Sequence, residues 1–204
     1  MKTMFIPVKS RLQFDFQQFE QLNLPKNLII AYSIQFQSLA VNLREYLIKK
    51  HVILSFIQVL GCSNPKLPPK AQAIILLSTG KFHAISLAYE TSLPVYLLEN
   101  NKLLKIDQKE IDLLGKRKKG AYLNFLNSSI LGIIVSNKPG QENLKQAISL
   151  KKNLTNKHSY LFITNNIDTG EFENFWLPCW INTACPRMDL NLPIVNITDL
   201  TLKN

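Results

Sequence analysis

The sequence predicts an α/β fold made of two related three-layer units, each built on a mostly parallel sheet. Continuous aliphatic and β-branched runs recur along the chain, the pattern of strands buried on both faces. Stretches with helical periodicity lie between these runs. Chemically capable residues, two cysteines among them, stand just past the ends of the runs, where open α/β sheets bind ligands.

In chain order, Met4–Val8 reads as a strand and Phe14, Phe16, Phe19 and Leu22 as the apolar face of a helix. Strands follow at Leu28–Tyr32, Val52–Leu60, Ala73–Leu77 and Val95–Leu98. Phe36, Leu39, Ala40, Leu43 and Leu47 recur at helix spacing, with Lys49 and Lys50 at the end that favours cations. His83–Thr91 forms a shorter helix closed by Pro94, and Gln108–Asn127 is a charged helical connection. Beyond it come strands at Ile130–Val135, Tyr160–Ile163 and Pro178–Ile181. Pro139-Gly140-Gln141 opens a helix with Leu144, Ala147, Ile148 and Leu150 inward, since proline suits a first helical turn. The expected division is a strand and helix over 1–26, an α/β domain over 27–128 carrying Cys62, and another over 129–204 carrying Cys185.

The 204 residues, 46% of them hydrophobic, suffice for one large or two small cores. The longest apolar runs, about eight to ten residues, fall short of a membrane span. No cleavable leader pattern follows Met1, so the expected location is the cytoplasm. Three cysteines, an odd number without a C-x-x-C pair, argue against a disulfide framework, a zinc ribbon and a thioredoxin motif. The net charge of +10 allows an acidic partner. Its densest cluster, Lys116-Arg117-Lys118-Lys119, is equally a solvated helix face, and no basic run interleaved with aromatics marks a specific nucleic-acid site. No P-loop, G-x-G-x-x-G or Ser–His–Asp pattern is present.

Four strand-end segments carry candidate chemistry. Cys62, preceded by Gly61, and Cys185, in Thr183-Ala184-Cys185-Pro186-Arg187-Met188, each follow an apolar run. They read either as thiolate ligands of a shared metal centre or as ordinary buried thiols. Cys179, inside its run, reads as a core residue. Ser136-Asn137-Lys138-Pro139-Gly140-Gln141 joins a strand to a helix, where free N–H groups and the helix dipole favour an anion. An ordinary capped turn is the alternative. Gly80-Lys81-Phe82-His83 has the same placement, with His83 as ligand or cap.

Together these motifs resemble the diphthamide synthesis family, radical enzymes that begin diphthamide formation on elongation factor 2. The resemblance rests on five segments in matching order: Val59–Cys62, Ser78–His83, Leu93–Tyr96, Ser136–Gln141 and Asn182–Met188. It implies three related α/β domains around a cleft, each giving one cysteine to a [4Fe-4S] cluster. S-adenosylmethionine then binds the open iron and yields a 3-amino-3-carboxypropyl group for a histidine of elongation factor 2. By the resemblance, Cys62 is the second domain's ligand and Cys185 the third's. Ser136, Lys138, Gly140 and Gln141, with Gly80 and His83, are then cofactor-contacting positions.

The first domain of that pattern is not found here, and residues 1–26 resemble only its closing strand and helix. Three expectations follow from the resemblance. A separate chain, in a heterodimer or homodimer, supplies the missing domain and third cysteine; the protein is a non-catalytic homologue that docks a catalytic partner or elongation factor 2; or Cys179 replaces the missing ligand. The last conflicts with its place inside a strand. An RNA-binding module with unused cysteines is the reading from another class.

Overall fold

The computed structural model describes residues 4, 6, 8–10, 14–59, 66–185 and 194–201. The chain divides into two compact units, Met1–Leu114 and Gly115–Asn204.

The first unit holds a five-stranded sheet of β1 (Asn27–Tyr32), β2 (Val52–Gln58), β3 (Ala73–Leu77), β4 (Val95–Glu99) and β5 (Lys102–Lys105), in the order β2-β1-β3-β4-β5. The first four are parallel, and β5 returns antiparallel on β4. Asn100 and Asn101 make that hairpin, both in left-handed conformations with φ of 48° and 59°. Asparagine tolerates that region, and two such residues match the twist of a tight hairpin. Alternate residues of β1 feed opposite faces. Leu28, Ile30 and Tyr32 pack with Leu43 and Leu47 of α1 (Gln37–Leu47). Ile29 and Ala31 pack with Ala84, Leu87 and Ala88 of α2 (Lys81–Thr91).

The second unit holds a four-stranded parallel sheet of β6 (Ile130–Ser136), β7 (His158–Thr164), β8 (Trp180–Asn182) and β9 (Ile194–Asn196), in the order β7-β6-β8-β9. One face is covered by Ala121 and Phe125 of α3 (Gln108–Asn127), Ala147 of α4 (Leu144–Asn153) and Ile197 of α5 (Ile197–Thr201). The other carries Ile134 and Trp180 under Phe172 of a 3₁₀ segment, Thr169–Phe175. The α/β class with mostly parallel sheets is therefore as the sequence predicts. Helix α3, expected as a connection, runs across the division between the units.

Several local expectations are corrected. Of the expected strand Met4–Val8, Met4, Ile6 and Val8 are exposed, while Phe5 and Pro7 lie outside the described residues. Phe14–Leu22 contributes a 3₁₀ helix, Phe16–Gln21, rather than an α-helix; Asp15 caps it by accepting from Gln17 N–H, and its rings pack on the first core. The helix expected from Pro139 begins at Leu144. Gly140, at φ 81°, bends the chain into a turn closed by Gln141 N–H donating to the Lys138 carbonyl at 3.0 Å, and a left-handed residue cannot start a right-handed helix. Two short strands, β5 and β9, and helix α5 were not anticipated.

Candidate functional site at the carboxyl edge of the second sheet

In the second unit the chain goes from β6 outward to β7, then crosses back to β8 on the other side of β6. The junction of β6 and β8 is thus the topological switch point, and open α/β sheets bind ligands at such points, outside the carboxyl ends of the strands. The loops after these two strands are the ones that carry Ser136–Gln141 and Thr183–Cys185.

Ser136 ends β6 and is buried, at 1% exposure. Its hydroxyl oxygen accepts from Lys138 N–H at 3.2 Å, and Asn137 N–H donates to the Thr164 carbonyl at 3.1 Å. Ser136 therefore shapes the turn, while Lys138 and Gly140 are exposed and Gln141 half-buried. The opposite wall is tied down more tightly. Thr183, fully buried, donates its hydroxyl to the Ile134 carbonyl at 2.7 Å, and its N–H to the same oxygen at 3.1 Å. The Asn182 side chain accepts from Ala184 N–H at 2.9 Å and donates to the Cys185 carbonyl at 2.8 Å. It also meets Asn196 Oδ1 of β9 at 2.9 Å. Asn143, before α4, donates to the Thr183 carbonyl at 2.7 Å and joins the two loops. Asn143 was not singled out from the sequence, and Asn182 entered only as the start of the Asn182–Met188 segment.

This bracing holds Cys185 partly exposed at the sheet edge, while Cys179 is fully buried in the helix-side core. Burial raises the Cys179 thiol from its ordinary 9.0 to about 11, with Lys157 and the Trp180 carbonyl opposing weakly. Its sulfur lies 3.9 Å from that carbonyl. Cys179 lies directly before β8, packed among helix-side core residues rather than past a strand end. Cys62 lies outside the described residues. The strand ends behind the two candidate cysteines are not equivalent: β2 is the second strand of its unit and lies at a sheet edge, whereas β8 is the third of its own and lies inside.

Gly80 and His83 belong to the first unit, at the start of α2 and beside its own switch point between β1 and β3. There the Glu99 carboxylate already accepts the Gly80 N–H. The His83 ring packs against Phe82, with centroids 6.2 Å apart.

A thiolate suits an iron–sulfur centre, and Cys185 is placed and exposed to serve as one ligand. Among the described residues no three His, Cys, Asp or Glu side chains are grouped for a metal.

The sequence profile of the diphthamide synthesis protein family matches residues 1–192. The chain belongs to this family. It is 29% identical over 140 residues to a 2-(3-amino-3-carboxypropyl)histidine synthase of Pyrococcus horikoshii, an alignment covering 66% of this chain and 40% of that enzyme. Its fold matches the crystal structure of Dph2 from Pyrococcus horikoshii with a TM-score of 0.77 at 19% identity, over 95% of this chain and 63% of that one. A structure of the same protein with a 4Fe-4S cluster matches at 0.75 and 20% identity, over 91% and 58%. The chain thus spans less than two thirds of the relatives it matches. The structural likenesses establish the fold of the family. No helix among the described residues is long and apolar enough to cross a membrane.

Proposed function

We propose that this chain supplies two ligand-bearing units of a cytoplasmic enzyme of diphthamide synthesis. The enzyme transfers a 3-amino-3-carboxypropyl group from S-adenosylmethionine to a histidine of elongation factor 2. The observation that carries this reading is the partly exposed Cys185, its backbone carbonyl held by Asn182 at the switch point reached also by the Ser136–Gln141 turn. Cys185 and Cys62 hold two corners of a [4Fe-4S] cluster, and the third thiolate comes from outside these units, on a separate chain bearing the first domain. Such a cluster, when bound, supplies an open iron and an electron for cleaving S-adenosylmethionine. The residues of this chain bind and orient. Lys138 and the α4 N-terminus favour the cosubstrate carboxylate, and Gln141 offers a hydrogen-bonding amide. Ser136 keeps the turn in shape. Gly80 and His83 face a second contact region in the first unit.

Anaerobic reconstitution with iron and sulfide tests this reading on the wild type and on Cys62→Ala, Cys185→Ala and Cys179→Ala, each checked for folding by circular dichroism. Iron is expected to fall in the first two variants and to persist in the third. Full iron retention in folded Cys185→Ala sinks the assignment. Because one exposed thiol alone is placed in the described residues, a second reading stands beside it: a non-catalytic homologue that docks a catalytic partner or elongation factor 2. It predicts no iron in this chain even when a first domain is added, yet retained binding to elongation factor 2.

A further inference from the structure

The thinly covered face of the second unit carries a groove that the reading above leaves unused. Two cavities lie side by side along β7 and share Phe162 and Phe175. The larger, about 440 Å³, is bounded by Ile130, Tyr160, Trp176 and Pro178 and has no charged residue in its lining. The smaller, about 200 Å³, lies between Phe172, Phe175 and Trp180 and has the carboxylates of Asp168 and Glu171 at its rim. Its size suits a single side-chain head group rather than a cofactor.

Three features mark this as a recognition surface. Trp176 is 93% exposed and held in a left-handed conformation at φ 51°, an unfavourable place for a bulky side chain. Tyr160, at 54%, and Phe175, at 46%, widen the apolar patch around it. The charge is also the reverse of the chain's: the protein carries +10, yet both acidic groups of the smaller cavity are carboxylates and no Lys or Arg lines either cavity among the described residues. Aromatic walls beside carboxylates select a flat cation, and the same carboxylates repel a phosphate backbone. The two cavities are offset along β7 by about two residues, from Tyr160 and Phe162 to Phe162–Thr164, roughly 7 Å at the strand rise. β7 is also the terminal strand of its sheet, so an extended segment can lie beside it.

We infer that this groove binds an extended segment of a partner protein that presents an arginine to the Asp168–Glu171 cavity and an apolar side chain, two residues away, to the Trp176 cavity. The guanidinium stacks on Phe175 and donates to the two carboxylates; the apolar residue fills the uncharged end.

The chain has two tryptophans, Trp176 and Trp180, one lining each cavity, so its own fluorescence reports occupancy. The probe is a blocked five-residue peptide with arginine second, leucine fourth and threonine or serine at the other positions. A saturable emission change is expected in the full chain. Replacing the arginine by citrulline, which keeps the shape without the charge, is expected to weaken binding at least tenfold, as loss of a charge-assisted pair does. The double variant Asp168→Asn with Glu171→Gln gives the same loss, while Glu173→Gln, outside both cavities, leaves affinity unchanged. Equal responses to the arginine and citrulline peptides, or no saturable response in the wild type, overturn the proposal. So does self-association abolished by Trp176→Ala without any peptide response, which gives the groove to a second copy. An oligonucleotide that binds the wild type and competes with the peptide overturns it as well.

Discussion

The side-chain amide of Asn143 donates to the carbonyl of Thr183 at 2.7 Å, although forty positions separate them in the chain. The bond ties the loop after β6 to the loop after β8. Both ends of this link depend on the crossing of the chain from β7 back to β8.

Asn182→Ala removes the acceptor for Ala184 N–H and the donor to the Cys185 carbonyl from a residue only 2% exposed. Its cost is about 1–3 kcal/mol, the penalty of leaving buried polar groups unpaired. Denaturant unfolding measures it. Native-state alkylation is expected to become faster at Cys185 in this variant and to be unchanged at Cys179.

Cys179 sets a pH dependence. Its folded pKa is raised from 9.0 to about 11, so the unfolded chain releases this proton first. The stabilisation is complete below pH 9 and is lost as pH rises towards 11. Two units amount to about 2–3 kcal/mol at most. Unfolding measured across that window is expected to show wild-type stability falling more steeply than that of Cys179→Ala; parallel profiles would remove the assignment.

Gly132 of β6 lies against the Trp180 ring on β8, and a Cβ at that position would run into the ring's Cε3 and Cζ3 atoms. Alanine usually improves on glycine in a strand. Here overpacking decides, and Gly132→Ala is expected to destabilise by about 1–3 kcal/mol, with a change in tryptophan emission. The double variant Gly132→Ala with Trp180→Phe should recover part of the loss.

Ser92 ends α2 in a left-handed conformation at φ 56°, its N–H donating to the Ala88 carbonyl at 2.9 Å. Glycine takes that conformation without steric cost and keeps the bond. Ser92→Gly is expected to stabilise the chain by about 0.5–1 kcal/mol, seen as a higher unfolding midpoint.

What the sequence disclosed follows from which signals are local. β1, β3 and β6 were legible because strands buried on both faces are unbroken apolar runs, as in Leu28–Tyr32, Ala73–Leu77 and Leu131–Val135. β5, only four residues with lysine at both ends, has no such pattern; it exists because Asn100 and Asn101 turn it onto β4. The start of α4 was misread because proline and glycine together fit a helix opening as well as a turn. At the site, the position of Cys185 just past a strand was legible from its own neighbours. The bracing by Asn143, Asn182 and Asn196 was not, since it needs β6, β8 and β9 to lie side by side.

The Glu99 carboxylate on the Gly80 N–H has a further consequence. It gives the α2 start of the first unit a resident negative charge, so an approaching phosphate or carboxylate meets repulsion as well as the helix dipole. The corresponding turn of the second unit, with Lys138 exposed, has no such built-in competitor among the groups described. Two frameworks of the same architecture thereby differ at their strand–helix turns: the first disfavours an incoming anion and the second favours one.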